Sequence, residues 1–224
     1  MNRALLIFAR RPHPGRVKTR LSPFLTPEEA AGLYDCMVRD LLARTAALEV
    51  DVRVLFYEDD GEAEGYFRGL DERLLLMPQE GAGLGERLAN AFTVMFIRGV
   101  RTVAVIGADS PDLPLAYIRE AFDSLESGAA DVVFGPTEDG GYYLAALPAP
   151  HPELFRDVPW STNQVLAVSL QRAAEVGLRP ALLPRWHDVD EPADLARPEL
   201  QDEKNGACRT RNFLMKHGAL PARG

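Results

Sequence analysis

Arg10, Arg11, Arg16, Lys18 and Arg20 cluster with no acidic residue among them, in a chain whose net charge is −8. Five cations gathered on an acidic protein point to an anionic ligand, the plainer alternative being a solvated basic loop. Their position favours the ligand. They follow Ala4-Leu5-Leu6-Ile7-Phe8-Ala9, an apolar run of strand length, and share their loop with Pro12, Pro14 and Gly15. Strand, then basic glycine-containing loop, is where parallel α/β sheets take phosphates. A second group is acidic: Asp109 and Asp112 in IGADSPDLP, and Asp139 beside Gly140 in TEDGG. Carboxylates alone repel phosphate, so the two groups make sense together with a divalent cation between them. Mg²⁺ or Mn²⁺ suits such oxygen ligands.

Each residue also has a plainer reading. Asp109 before Ser110-Pro111 is equally an Asx-turn residue. Asp190 can be the N-cap of a helix containing Pro192. Tyr142 and Tyr143 are strand residues first and sugar-stacking aromatics second. Gly81, Gly83 and Gly85 suit close approach to a ligand, or merely a tight strand-to-helix turn. Gly15-Arg16-Val17-Lys18-Thr19 lacks the glycines of a phosphate-binding P-loop. His13, His151 and His187 show no i, i+4 pairing, which argues against zinc.

The elements that must hold these groups alternate regularly. Strands are expected at Ala4–Ala9, Val52–Tyr57, 73–77, Thr102–Gly107, 131–135, Tyr142–Leu147 and 181–183. Helices are expected from Pro27 to about Ala47, capped by Thr26 and Glu29, after Gly85 with Leu84, Leu88, Phe92 and Phe96 buried, and at Leu115–Leu125. Glu62–Leu70 reads as a short acidic helix or loop. Ser161-Thr162-Asn163-Gln164 reads as a second capping box opening a helix to about Val176, with Trp160 packed beneath a loop or at a crevice rim. Phe213-Leu214-Met215 marks a short packing helix. This rhythm predicts a mostly parallel sheet with helices on both faces, its loops gathered at the carboxyl ends of the strands. Residues 1–200 are expected to form one domain, with 201–224 a helical tail packing on it.

Composition narrows the function classes. The chain has 224 residues, 46% hydrophobic and 26% charged, which is ordinary for a globular protein. An acidic pI near 5.1 argues against nucleic-acid binding. No apolar run approaches the ~20 residues that span a bilayer. Cys36 and Cys208 lie far apart, and no signal-peptide pattern precedes the first strand, so a cytoplasmic setting is expected.

FARRPHPGRVKTRL, IGADSPDLP, FGPTEDGGYYLAAL, VPWSTNQVL and DVDEPADL resemble, in that order, motifs of the DUF2064 proteins, a bacterial family usually labelled glycosyltransferase or nucleotide-diphospho-sugar transferase. The resemblance implies the α/β GT-A fold, a Rossmann-like α/β/α sandwich. It matches Arg16, Lys18 and Arg20 to a phosphate-gripping loop and Gly83-Leu84-Gly85 to a nucleoside-contacting turn. It matches Asp109 to a metal aspartate, with Asp188 or Asp190 as the second acidic group near the metal. Many glycosyltransferases carry Asp-x-Asp where this chain has Asp109-Ser110-Pro111-Asp112, a pattern closer to the guanylyltransferases of molybdenum cofactor and phospholactate.

The expected nucleotide-binding residues are thus Arg10, Gly15, Arg16, Lys18, Arg20, Gly83, Leu84, Gly85 and Arg87. The expected metal ligands are Asp109, Asp112 and Asp190, and the expected catalytic carboxylates are Asp109, Asp139 and Asp188. The leading expectation is a metal-dependent transferase moving sugar from a nucleoside diphosphate sugar to a small-molecule acceptor, with Asp139 or Asp188 as base. The alternatives are a nucleotidyltransferase releasing pyrophosphate from a nucleoside triphosphate, and a non-catalytic nucleotide-binding protein.

Overall fold

A computed structural model describes residues 2–22 and 24–218. The last residues of the expected tail, 219–224, lie outside the described residues. Seven strands form one sheet: β1 (Arg3–Ala9), β2 (Val52–Tyr57), β3 (Leu75–Pro78), β4 (Thr102–Gly107), β5 (Val132–Pro136), β6 (Tyr142–Leu147) and β7 (Pro180–Leu182). Their order is β3-β2-β1-β4-β6-β5-β7, with β6 antiparallel to both neighbours and every other pairing parallel.

The apolar run of β1 is continuous because both its faces are covered. Leu5, Ile7 and Ala9 pack on one side with α1 (Pro27–Thr45), α2 (Ala63–Arg68), α4 (Leu115–Glu126) and α7 (Cys208–Lys216). Ala4 and Leu6 pack on the other with α3 (Leu84–Ile97) and α5 (Val165–Glu175). A four-residue helix, α6 (Pro198–Gln201), precedes α7. The Thr26 capping box forms as the sequence predicts: Thr26 Oγ1 accepts from Glu29 N, and Glu29 Oε2 accepts from Thr26 N. This is the expected mixed α/β sandwich.

The order reverses between β1 and β4: from β1 the chain adds β2 and β3 on one side, then crosses to place β4 on the other. Such a switch point opens a crevice outside the carboxyl ends of the strands. The basic loop leaves β1 and the Asp109 turn leaves β4 at that crevice.

Three local expectations give way. Leu84 is 43% exposed, because α3 starts at that residue and its first turn stands clear of the core. No capping box forms at Ser161, which has a left-handed backbone (φ 63°); the helix begins at Val165 without a side-chain cap. The segment is drawn instead onto the β5–β6 loop, where a Cβ on Gly140 would lie 2.1 Å from Asn163 O and Leu166 N donates to Gly140 O at 2.9 Å. The element at Pro192 is a short 3₁₀ turn, Pro192–Ala196, capped by Glu191 and Asp194 rather than by Asp190.

Candidate active site

The loop after β1 turns twice through left-handed backbone, at Gly15 (φ 74°) and at Lys18 (φ 49°). Glycine takes that conformation freely, whereas lysine does so only where its surroundings enforce it. Here it turns the Lys18 side chain inward, leaving 2% of it exposed. Its Nζ pairs with Asp109 Oδ1, lies 3.6 Å from Asp190 Oδ1, and stands 5.7 Å from the centre of the Tyr34 ring. Burial alone would push this ammonium down, but Asp109, with Asp190 and Asp188 behind it, outweighs burial and holds it above its ordinary value. Tyr34, from α1, also accepts the Arg10 amide at 3.2 Å, so one ring steadies both ends of the loop. Arg20 completes the group with a 2.8 Å bond to Asp190 Oδ2.

The acidic wall comes from two segments stitched together. Val189 N donates to Asp109 O at 2.8 Å. Ser110 Oγ lies 2.8 Å from Asp188 Oδ1 and 2.9 Å from His187 O, and can donate to either. Burial, then the charge of Asp109, pushes Asp188 up to about 6, against the Ser110 hydrogen bond and Lys18; Asp139 adds to the rise. Asp109, Asp188, Asp190, Lys18 and Arg20 therefore form one cluster at the switch point.

Asp112 does not join them. It is 0% exposed and points inward, accepting from His187 Nε2 at 3.1 Å and Trp186 Nε1 at 3.2 Å. Trp186 in turn donates its backbone N–H to Pro136 O at 3.0 Å and packs edge-on against Tyr117. Both oxygens of Asp112 are thus occupied beneath the crevice, out of reach of an ion in it.

The remaining predicted residues divide by side of the crevice. Asp139 is exposed, and its Oδ1 accepts from Thr137 Oγ1 at 2.5 Å and Gly141 N at 3.1 Å. Tyr143 is buried and donates to Pro184 O, while Tyr142 packs between Phe134 and Trp160, so neither ring faces an acceptor groove. On the β2 side, Arg10 pairs with Glu58 at 2.6 Å and Arg87 reaches Gly81 O at 3.2 Å and Gln79 Oε1 at 3.4 Å. Gly83 opens α3 and has open space at its Cβ position, whereas a Cβ on Gly85 would meet Phe155 O at 2.3 Å. Gly85 therefore serves close packing. Tyr34 and Ser110 escaped the sequence reading: the first looks like any periodic core residue, the second like part of a turn.

Among the described residues no three His, Cys, Asp or Glu side chains are arranged to enclose an ion. Mg²⁺ characteristically uses one or two carboxylates and fills its shell with water and substrate phosphate. Asp109 fits that use: its side chain is 49% exposed, and only Oδ1 is engaged by Lys18.

Known proteins resemble this chain in sequence and in fold. A 2-phospho-L-lactate guanylyltransferase of Halorubrum lacusprofundi is 29% identical over 194 residues, covering 85% of this chain and 82% of its own. A protein of Desulfovibrio desulfuricans G20, provisionally named a nucleotide-diphospho-sugar transferase, has a similar structure, with a TM-score of 0.87 at 28% identity over 98% of this chain and 96% of its own. The fold is also shared by CMP:2-keto-3-deoxy-manno-octonic acid synthetase complexed with CTP, with a TM-score of 0.57 at 13% identity, covering 87% and 95% of the two chains. These relatives are transferases, and no described helix of this chain is long and apolar enough to cross a membrane. Residues 41–162 match DUF2064, described as an uncharacterized protein conserved in bacteria, and the chain belongs to that family.

Proposed function

We propose that this protein is a nucleotidyltransferase: an anionic oxygen of a small acceptor attacks the α-phosphorus of a nucleoside triphosphate, and pyrophosphate leaves. The observation that carries the reading is Lys18, buried among Asp109, Asp188 and Asp190 at the switch point, with Arg20 at its mouth. Arg20 offers charge-assisted hydrogen bonds to phosphate oxygens. Asp109 and Asp190 would hold Mg²⁺ or Mn²⁺, which supplies neutralisation of the charge that builds on the phosphates. Lys18 fixes Asp109 in place and keeps the acidic wall from repelling the nucleotide. An anionic acceptor needs no general base, which suits a site where Asp139 is tied by Thr137 and Gly141.

Two observations favour nucleotidyl over sugar transfer. Asp112 cannot serve as the second carboxylate of an Asp-x-Asp pair, and Tyr142 and Tyr143 are packed away from any sugar. The guanylyltransferase relative supports the same choice. One observation favours sugar transfer: Asp188, pushed up to about 6, is a suitable base for an acceptor hydroxyl near neutral pH. Product analysis separates the two. GTP, ATP, CTP and UTP are incubated with Mg²⁺ and phosphorylated hydroxy acids, 2-phospho-L-lactate among them, and parallel reactions receive nucleotide sugars. Pyrophosphate release is the expected result. Nucleoside diphosphate formed from nucleotide sugars, without pyrophosphate from any triphosphate, overturns it.

A further inference from the structure

Asp190 is held both by its side chain and by its backbone. Its carboxylate meets Arg20 at 2.8 Å and Lys18 at 3.6 Å in the crevice. Its amide, with that of Glu191, donates to Asp194 Oδ2, at 3.0 and 2.8 Å. The other oxygen of Asp194 accepts from Arg197 Nε at 3.0 Å, and Arg197 Nη2 reaches Glu138 Oε2 at 2.8 Å. The 3₁₀ turn at Pro192–Ala196 brings these groups together, closing with a 3.2 Å bond from Arg197 N to Asp194 O. Glu138 lies in the β5–β6 loop, next to Asp139. One guanidinium therefore ties the segment carrying Asp188 and Asp190 to the loop carrying Asp139.

From these contacts we propose that Arg197 is a positioning residue, which fixes Asp190 for the metal-bound nucleotide without touching metal or nucleotide. The inference rests on the nucleotidyltransferase reading and deepens it. In that reading Arg20 turns to the phosphates, so Asp190 gives up its shortest contact when the metal needs it in place. What then holds Asp190 is Lys18 and the Asp194 hydrogen bond. Asp194 keeps two amides on one oxygen only while its carboxylate is held in one orientation, and Arg197 holds it through the second oxygen. Groups that orient a metal ligand from behind weigh heavily on affinity. Arginine suits the place because its planar fork fixes the spacing of two carboxylates, whereas lysine is a point donor on a flexible stem. Glu138 is 60% exposed, where an ion pair adds little stability. The effect of the pair is on geometry.

Calorimetry on the full-length chain tests this. GTP, ATP, CTP and UTP are titrated, in Mg²⁺ and in chelator, into wild type, Arg197→Ala and Arg197→Lys. The quantity read is the factor by which Mg²⁺ tightens the triphosphate that wild type binds best. In Arg197→Ala that factor should fall at least about fivefold. Affinity in chelator should stay within about twofold of wild type, since Arg197 donates to Glu138 and Asp194 and not to the nucleotide. Arg197→Lys should lose as much, because one ammonium cannot reproduce the fork. A merely structural role would weaken binding in Mg²⁺ and in chelator alike, and that result overturns the assignment. So does an unchanged Mg²⁺ factor in Arg197→Ala, wild-type behaviour in Arg197→Lys, or wild-type binding that ignores Mg²⁺. Pyrophosphate release by wild type alongside any of these results leaves the nucleotidyltransferase reading standing. Failure of every triphosphate to bind overturns both.

Discussion

Asp109 and Asp112 leave the same strand on one turn, yet they belong to two different regions. Asp109 faces out into a crevice where Lys18, Arg20, Asp188 and Asp190 leave part of their bonding capacity unused. Asp112 faces in, to a closed network with His187 and Trp186 in which each carboxylate oxygen has a donor. The contrast recurs on the partner segment, where His187 turns inward and Asp188 outward at adjacent positions. Charged residues in the outward region remain available for a ligand, while those in the inward region hold the two segments in register. An inward substitution should therefore cost stability, and an outward one should cost binding.

The largest effect is expected from Asp112→Ala. It leaves the buried His187 and Trp186 nitrogens without an acceptor, and should lower the unfolding free energy by about 3–5 kcal/mol, measured by urea denaturation. Asp109→Asn, which keeps an oxygen to accept from the buried Lys18 while Asp190 still faces it, should cost no more than about 1–2 kcal/mol in the same experiment. Equal losses in the two variants would erase the distinction between the regions.

A smaller effect is expected at Asp188, with a definite sign. Its folded pKa of about 6 lies above that of an unfolded aspartate, so the protonated form favours the folded state. Ionisation as pH rises from about 4 to 6 erodes stability. Asp188→Asn keeps an acceptor for Ser110 and removes the charge. Its stability relative to wild type should rise across that window by up to about 3 kcal/mol, in chelator, and then level off. A flat difference between pH 4 and 7 would place Asp188 outside the charged cluster.

The smallest effect on stability is expected at Arg20, whose side chain is 61% exposed. Arg20→Ala should change unfolding by less than about 1 kcal/mol, while GTP affinity falls at least fivefold by calorimetry. A variant that loses stability but not affinity would move Arg20 to the structural side.

The legible parts of the molecule were those governed by local pattern. The double-sided burial of β1, the Thr26–Glu29 cap and the alternation of strands and helices all follow from spacing along the chain. The basic loop and Asp109 were legible because a switch point collects whatever follows β1 and β4. Asp112 was not, since its burial depends on Trp186 and His187, over seventy residues away. Lys18 looked like a free phosphate contact, and only the left-handed backbone at its position reveals that it turns onto Asp109. Ser161 failed as a cap because the close approach of Gly140 and Asn163 overrides the local preference.

The crevice itself is tested most directly by titrating GTP, with and without Mg²⁺, into wild type and Asp109→Asn under identical conditions. The predicted result is Mg²⁺-enhanced binding in wild type and an affinity at least tenfold weaker in Asp109→Asn, with the enhancement gone. Equal, Mg²⁺-sensitive binding in both proteins would contradict it and return Asp109 to the role of a turn residue.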